Sequence, residues 1–345
     1  PDMAGAVSNV PARASLNRFI DACAERGAPQ VRIEAIRTAI ERFESSVGRC
    51  SGDRKTLSML MANTTGQADS VEGERARRKA FEGQCAVWGV QAHVRFVSVF
   101  LFPAADDPGF FDVAHVTGYV GFRRLRAIPW PLSYEAVQSR AGQAVRFRKE
   151  PLDAQGHGGA QLLARFCDPP NPNIEVVTLG SMKRFELNAG PVGNEGVSTC
   201  VFGTYLQHLY PRVESEEHAF ASFAVLLETP VERVIFDMFV HRDIGVEEMP
   251  TAHLCDRLTH PAPPSDDDVA KLALPLADRP TPLGRGASST LSPHIPWYPR
   301  LVHYVTERIG HAPEEFSGSR FEMAYPPIPT ALMRRFPLAK ASNVS

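Results

Sequence analysis

The fold class depends on residues 91–102, which read QAHVRFVSVFLF. Side chains of a β-strand alternate between two faces, and Val and Phe are enriched in strands. One face would carry His93, Arg95, Val97, Val99 and Leu101, and the other Val94, Phe96, Phe100 and Phe102. Residues 113–125 are again rich in Val, Tyr and Phe, and residues 103–112 carry Pro, Gly and Asp. The pattern predicts two strands joined by a long hairpin-type loop.

More strands are predicted downstream. Residues 134–137 and 145–149 flank residues 139–142, Ser-Arg-Ala-Gly, whose turn chemistry predicts a second hairpin. Other strands are predicted, in chain order, at residues 174–179, 182–187, 219–228 and 231–241. Residues 201–209 fit either a strand or a helix. Because the strands come in hairpins and do not alternate with helices, we expect a mainly antiparallel sheet and an α+β fold.

The first 90 residues have helical periodicity. Apolar residues at the spacing i, i+3, i+4 and i+7 form one stripe at Leu16, Phe19, Ile20 and Cys23. A second stripe consists of Ile36, Ile40, Phe43 and Val47, and Gly48 just after it is the expected stop. Further helices are predicted at residues 54–62 and 71–88. We therefore expect an N-terminal helical layer over residues 1–90.

The C-terminal part differs in composition. Proline recurs from residue 259 to residue 299, which predicts a long surface strap. A short helix is expected at 300–309, and a tail at 321–338 contains Tyr-Pro-Pro-Ile-Pro, which favours extended, polyproline-like backbone. The predicted organisation is a helical region at 1–90, an antiparallel sheet domain at 91–258, and a strap, helix and tail at 259–345, or one compact unit made of all three.

Composition excludes several classes of function. The net charge is −2 and no basic stripe covers the chain, so we expect no nucleic-acid partner. No apolar run approaches the ~18 residues needed to cross a bilayer, and no signal peptide is recognisable, so we expect no membrane partner and a cytoplasmic location. The six cysteines are scattered without a CxxC pair, which is typical of reduced thiols in a cytosolic protein.

One region of the sequence concentrates metal-ligating side chains. His208 and His218 precede the strand predicted at residues 219–228, and His241 and Asp243 lie at the end of the strand predicted at residues 231–241. Two histidines and a carboxylate form a site for a divalent metal that leaves positions open for a substrate. His241 and Asp243 would then be the catalytic residues. The alternative interpretation is structural: His241 caps a strand and Asp243 begins a turn.

A second group of residues suggests a ligand pocket. His115 and Tyr119 share one face of their predicted strand, and His93 comes from the partner strand. Trp130 and Trp297 each lie between prolines, and such stiffened aromatic residues make good anchors for a ligand. The alternative is that these residues are hydrogen-bonded members of a half-buried sheet face and of straps that cover sheet edges.

Two hypotheses about function follow. The first is a cytosolic binding or assembly module that holds a protein partner, a second copy of itself or a small molecule on its sheet face or its Pro/aromatic straps. The second is an enzyme with a His/carboxylate site, with a divalent metal as its cofactor. The sequence lacks GxGxxG, P-loop, HExxH and GxSxG motifs, which favours the first hypothesis.

Overall fold

The computed structural model describes residues 11–65, 71–136, 148–153, 161–180, 182–215, 219–245, 248–260, 264–275 and 278–340. The chain divides into two compact units, Pro1–Gly73 and Glu74–Ser345. The predicted α+β class is confirmed, because helices dominate the N-terminal part and the sheets are mostly antiparallel. In the part of the chain that the structure describes, no helix is long and apolar enough to cross a membrane.

Over residues 11–65 the first unit contains three helices: α1 (Arg13–Glu25), α2 (Gln30–Ser51) and α3 (Arg54–Thr65). Its buried apolar side chains are Ile20, Ile33 and Val47. Helix α2 does not stop at Gly48 as expected. It continues one turn further, and Gly52 takes the left-handed φ of 84° that a side chain would disfavour.

The second unit is built around a seven-stranded sheet. Helix α4 (Val71–Trp88) leads into it and ends at Gly89, as the sequence predicts. In the order in which they pair, the strands of this sheet are β11 (Thr281–Arg285), β12 (Phe316–Ala324), β9 (Val231–His241), β1 (Val90–Pro103), β2 (Phe110–Arg124), β7 (Ser198–Pro211) and β4 (Arg148–Pro151). Strands β1 and β9 are parallel, and every other neighbouring pair is antiparallel.

Among the described residues, two smaller sheets and two C-terminal helices complete this unit. One small sheet has the order β10 (Thr251–Asp256), β13 (Thr330–Pro337), β8 (Phe220–Leu227), and the other β3 (Trp130–Ala136), β6 (Met182–Leu187), β5 (Ile174–Leu179). Two helices lie in the C-terminal part, α5 (Val269–Leu272) and α6 (Tyr298–Arg308).

The predicted alternation of β1 explains how the layers pack. Val94, Phe96 and Phe100 face a core shared with α6. Val97 and Val99 face a second core shared with β8 and β13. The large sheet is therefore covered by helix α6 on one face and by the three-stranded sheet of β10, β13 and β8 on the other.

Other sequence predictions need correction. The second predicted hairpin is wrong: β3 pairs with β6, whereas β4 pairs with β7 in another sheet. Its turn residues lie outside the described residues. Residues 201–209 belong to strand β7, and the C-terminal tail contributes the end of strand β12 and the whole of strand β13 to two sheets, on either side of its Tyr-Pro-Pro-Ile-Pro segment. The residues of a predicted turn do not determine whether the strands beside it pair with each other or with strands elsewhere in the chain.

A buried ion pair ties β9 to β12. Asp237 is fully buried, and the Arg320 guanidinium donates to both of its carboxylate oxygens, from Nε at 3.0 Å and from Nη2 at 2.7 Å. Beside this pair the hydroxyls of Ser98 and Tyr298 are 2.7 Å apart, which joins β1 to α6. Ser98, one of two polar residues that interrupt the apolar run of β1, therefore has a hydrogen-bond partner.

Candidate functional site

A pocket of about 110 Å³ lies between the large sheet, strand β3 and strand β8. Its wall from the large sheet includes Arg95, His115 and Tyr119. The opposite wall combines apolar side chains, among them Leu132 and Val225, with polar ones from β3 and the end of β8. Two of the residues that the sequence predicted as ligand-binding, His115 and Tyr119, thus face one pocket.

Arg95 is the charged side chain of this pocket that has the fewest hydrogen-bond and ion-pair partners among the described residues. Its side chain is 6% exposed, and its Nε has no hydrogen-bond partner. Its Nη1 donates to the Gly118 carbonyl at 3.2 Å, and its guanidinium carbon lies 4.5 Å from the Tyr119 ring centroid. Among the described residues, no carboxylate lies within ion-pair distance of it. Burial lowers the pKa of Arg95, but an arginine keeps its charge in proteins.

The acid that lines the same pocket has its own partner. Glu228 forms an ion pair with Arg257 at the rim. Its carboxylate charge is therefore met outside the pocket, and Arg95 is left as the uncompensated charge within it.

Tyr119 and Trp130 are held in place by one shared acceptor. The Tyr119 hydroxyl and the Trp130 indole N–H donate to the hydroxyl of Thr229, at 3.1 Å and 2.9 Å. Thr229 is itself buried and lines the pocket. Trp130 therefore fixes the pocket wall, and Tyr119 presents its ring face to Arg95.

His115 supplies a neutral imidazole to the pocket. Burial lowers the pKa of His115 to about 4, and the positive charges of Lys149 and Arg95 act in the same direction. The ring therefore carries one N–H donor and one free acceptor nitrogen near neutral pH.

His93 and Trp297 lie elsewhere. His93 Nδ1 is 2.7 Å from Glu232 Oε2, and its ring packs on His294. Trp297 packs in the core below α6, with its ring 5.9 Å from the ring of Phe96. The structure does not bring these two predicted residues to His115 and Tyr119.

A second constellation is centred on His241, at the end of β9. One ligand atom from each of His241, His311 and Glu315 lies within 4.8 Å of the others. Glu315 Oε2 is 3.6 Å from His241 Nε2 and 3.3 Å from His311 Nδ1. The side chain of His241 is 3% exposed, whereas those of His311 and Glu315 are about a quarter exposed.

The strand register brings these residues together. His241 is directly opposite Phe316, the first residue of β12, and Glu315 precedes it. His311 lies just after α6, and its ring centroid is 4.6 Å from that of His241. Burial and the nearby His311 lower the pKa of His241, while the Ala312 N–H lowers the pKa of Glu315.

The metal set predicted from the sequence is only partly brought together. Asp243 Oδ2 is 3.7 Å from His241 Nδ1, and the Asp243 N–H donates to that nitrogen at 3.2 Å. His208 is in β7, three strand spacings or roughly 14 Å of sheet from β9, and pairs with Asp106. His218 lies outside the described residues. The interpretation of His241 as a strand end and Asp243 as a turn residue fits the 3-10 turn Arg242–Ile244.

Three residues at these two sites were missed by the sequence reasoning. Arg95 had a signal, because it is a charged residue between the apolar residues Val94 and Phe96. His311 and Glu315 had only their four-residue spacing. Their approach to His241 depends on the pairing of β12 with β9, which crosses more than 70 residues of sequence.

No protein-family model matches the chain, and no curated protein shows significant similarity to it. Any statement on function therefore depends on the two sites themselves.

Proposed function

We propose that this protein binds a small organic acid, with its carboxylate on Arg95 and its apolar part against β3 and β8. The observation that carries the proposal is the buried guanidinium that faces a pocket without a counter-ion. The proposed function is a form of the first hypothesis, a binding module that holds a small molecule on its sheet face.

The argument is one of charge compensation. A buried charge without a partner costs several kcal/mol. The face of Tyr119 and one backbone carbonyl offset only part of that cost for Arg95. A carboxylate completes the compensation, since the guanidinium fork matches its two oxygens and the hydrogen bonds are charge-assisted.

The pocket walls select the remainder of the ligand. Pro131, Leu132, Ala224 and Val225 offer apolar surface. An inorganic phosphate needs donors on several sides, whereas a short carboxylate places its hydrocarbon against such a wall. The volume is below the ~300 Å³ at which ordinary small-molecule pockets begin, which favours a short chain.

The experiment is a melting series with acetate, butyrate, octanoate and inorganic phosphate. Each buried methylene contributes about 0.8 kcal/mol, so the two extra methylenes of butyrate strengthen binding by roughly 15-fold over acetate. Octanoate is too long for the pocket and binds more weakly than butyrate. We expect butyrate to raise the melting temperature most.

Two variants make this test specific. Arg95→Met removes the guanidinium and abolishes the butyrate shift. Arg285→Met is the matched control, because Arg285 is an exposed arginine on edge strand β11 and the charge change is the same. Equal shifts in both variants, or phosphate acting more strongly than butyrate, would refute the proposal.

A further inference from the structure

We propose that His241, His311 and Glu315 bind a divalent first-row transition metal ion, such as Zn²⁺. None of the three lines the Arg95 pocket, so this site is separate from the organic-acid site. Imidazole nitrogen and carboxylate oxygen are ligands that these ions prefer, and two histidines with one carboxylate leave further coordination positions for water or substrate.

The observation that points to a ligand is an unpaired nitrogen. His241 Nε2 is buried, the side chain is 3% exposed, and the atom has no hydrogen-bond partner. Glu315 Oε2, at 3.6 Å, is too distant for a hydrogen bond. A buried polar atom without a partner is costly, and a metal ion would satisfy it.

The distances suit coordination. Two ligand atoms each ~2.1 Å from a tetrahedral ion lie about 3.4 Å apart. Glu315 Oε2 is 3.6 Å from His241 Nε2 and 3.3 Å from His311 Nδ1. Two of the three ligand–ligand distances therefore suit a common ion, and the third, between His241 and His311, is at most 4.8 Å.

The carboxylate is oriented by its own neighbours. Glu315 Oε1 accepts from Arg242 Nη2 at 3.0 Å, and Oε2 accepts from the Ala312 N–H at 3.0 Å. The second lone pair of Oε2 accepts from the His311 Nδ1–H at 3.3 Å, and it would turn to a metal once that nitrogen gives up its proton to become a ligand itself. Glu315 is thus positioned as a monodentate ligand before an ion arrives.

Asp243 has a positioning role in this account. The Asp243 N–H donates to His241 Nδ1, which places the proton of the neutral ring on Nε2. Coordination through Nε2 needs the other tautomer, with the proton on Nδ1. The Asp243 N–H must therefore move off Nδ1 when a metal binds, and the Asp243 carboxylate, 3.7 Å from Nδ1 and 66% exposed, is placed to accept the ring N–H in its stead. Histidine ligands commonly donate to a carboxylate in this way.

The test is a Zn²⁺ titration of the full chain in competition with a chromophoric chelator, after the protein has been stripped of metal. We expect one Zn²⁺ per chain. His311→Ala and Glu315→Gln each weaken binding by at least about tenfold, and Asp243→Asn weakens it by about 10- to 100-fold, the range seen when such a partner of a ligand is removed. Both His311 and Glu315 are partly exposed, so these variants should fold.

His303→Ala is the matched control, since His303 is an exposed histidine on α6 outside the cluster. It should bind Zn²⁺ like the wild type. Substitution with Co²⁺ then reports the ligands: a nitrogen and oxygen set gives no thiolate charge-transfer band. The proposal is overturned by no stoichiometric binding, by equal affinity in His311→Ala and His303→Ala, or by a thiolate band from one of the free cysteines.

Discussion

Arg95 and Tyr119 are directly opposite each other on strands β1 and β2, and the guanidinium carbon lies 4.5 Å from the ring centroid. An aromatic face attracts a cation but does not neutralise it. Arg320, two strands from β1 in the same sheet, has Asp237 as a bidentate partner. The contrast between these two buried arginines is the basis of the first two predictions.

Arg95→Met should cost the ligand-free protein little or no stability. Replacing an uncompensated buried charge by an apolar side chain of similar length removes a desolvation cost. Urea unfolding in a buffer free of carboxylates measures the effect, and we expect a loss of no more than about 1 kcal/mol. A loss of several kcal/mol would mean that Arg95 is satisfied by the protein alone.

Asp237→Asn should behave in the opposite way. It leaves the buried Arg320 without its carboxylate, and breaking a buried pair in this way costs about 3–5 kcal/mol. The same urea experiment measures it. Equal stabilities of Asp237→Asn and Arg95→Met would contradict the distinction between the two arginines.

His115 should make the protein less stable in acid. Burial lowers its pKa from 6.5 to about 4, and the positive charges of Lys149 and Arg95, which face it, act in the same direction. Between these values the unfolded chain binds a proton that the folded protein does not, so stability falls as the pH falls from about 6.5 to about 4. The largest loss is about 3 kcal/mol. His115→Gln should show a shallower pH dependence of unfolding, and identical slopes would show that His115 does not contribute.

Zn²⁺ should stabilise the folded protein. An ion that binds only the folded state at 100 times its Kd adds about 2.7 kcal/mol to the unfolding free energy. Melting before and after chelation should therefore differ for the wild type and for His303→Ala. The difference should be much smaller for His311→Ala; if it persists there, the stabilising ion is bound at another site.

The sequence predicted the local elements well where their pattern is strictly periodic. Strand β1 was recognised from its alternation, and the structure buries both of its faces. The pairings that cross long stretches of chain could not be predicted in the same way. Strands β3 and β4 are near neighbours in sequence but belong to different sheets, because their partners β6 and β7 come later.

The two sites differ in the same way, because one is built within a hairpin and the other depends on long-range strand pairing. His115, Tyr119 and Arg95 come from one hairpin, so the alternation of two adjacent strands was enough to place His115 and Tyr119 on one face. His241, His311 and Glu315 meet through the pairing of β9 with β12 and the end of α6. The sequence analysis predicted His241 as a metal ligand, but it combined His241 with His208, which the sheet order places on a distant strand.

Isothermal titration of butyrate into the wild type, Arg95→Met and Arg285→Met tests most directly whether Arg95 binds a carboxylate. We expect one butyrate per chain for the wild type and for Arg285→Met. Because a hydrogen bond to a charged group contributes about 1.5–3 kcal/mol, Arg95→Met should bind at least about tenfold more weakly. Equal affinity for wild type and Arg95→Met, or no binding to the wild type, would contradict the assignment of Arg95 as the carboxylate-binding residue.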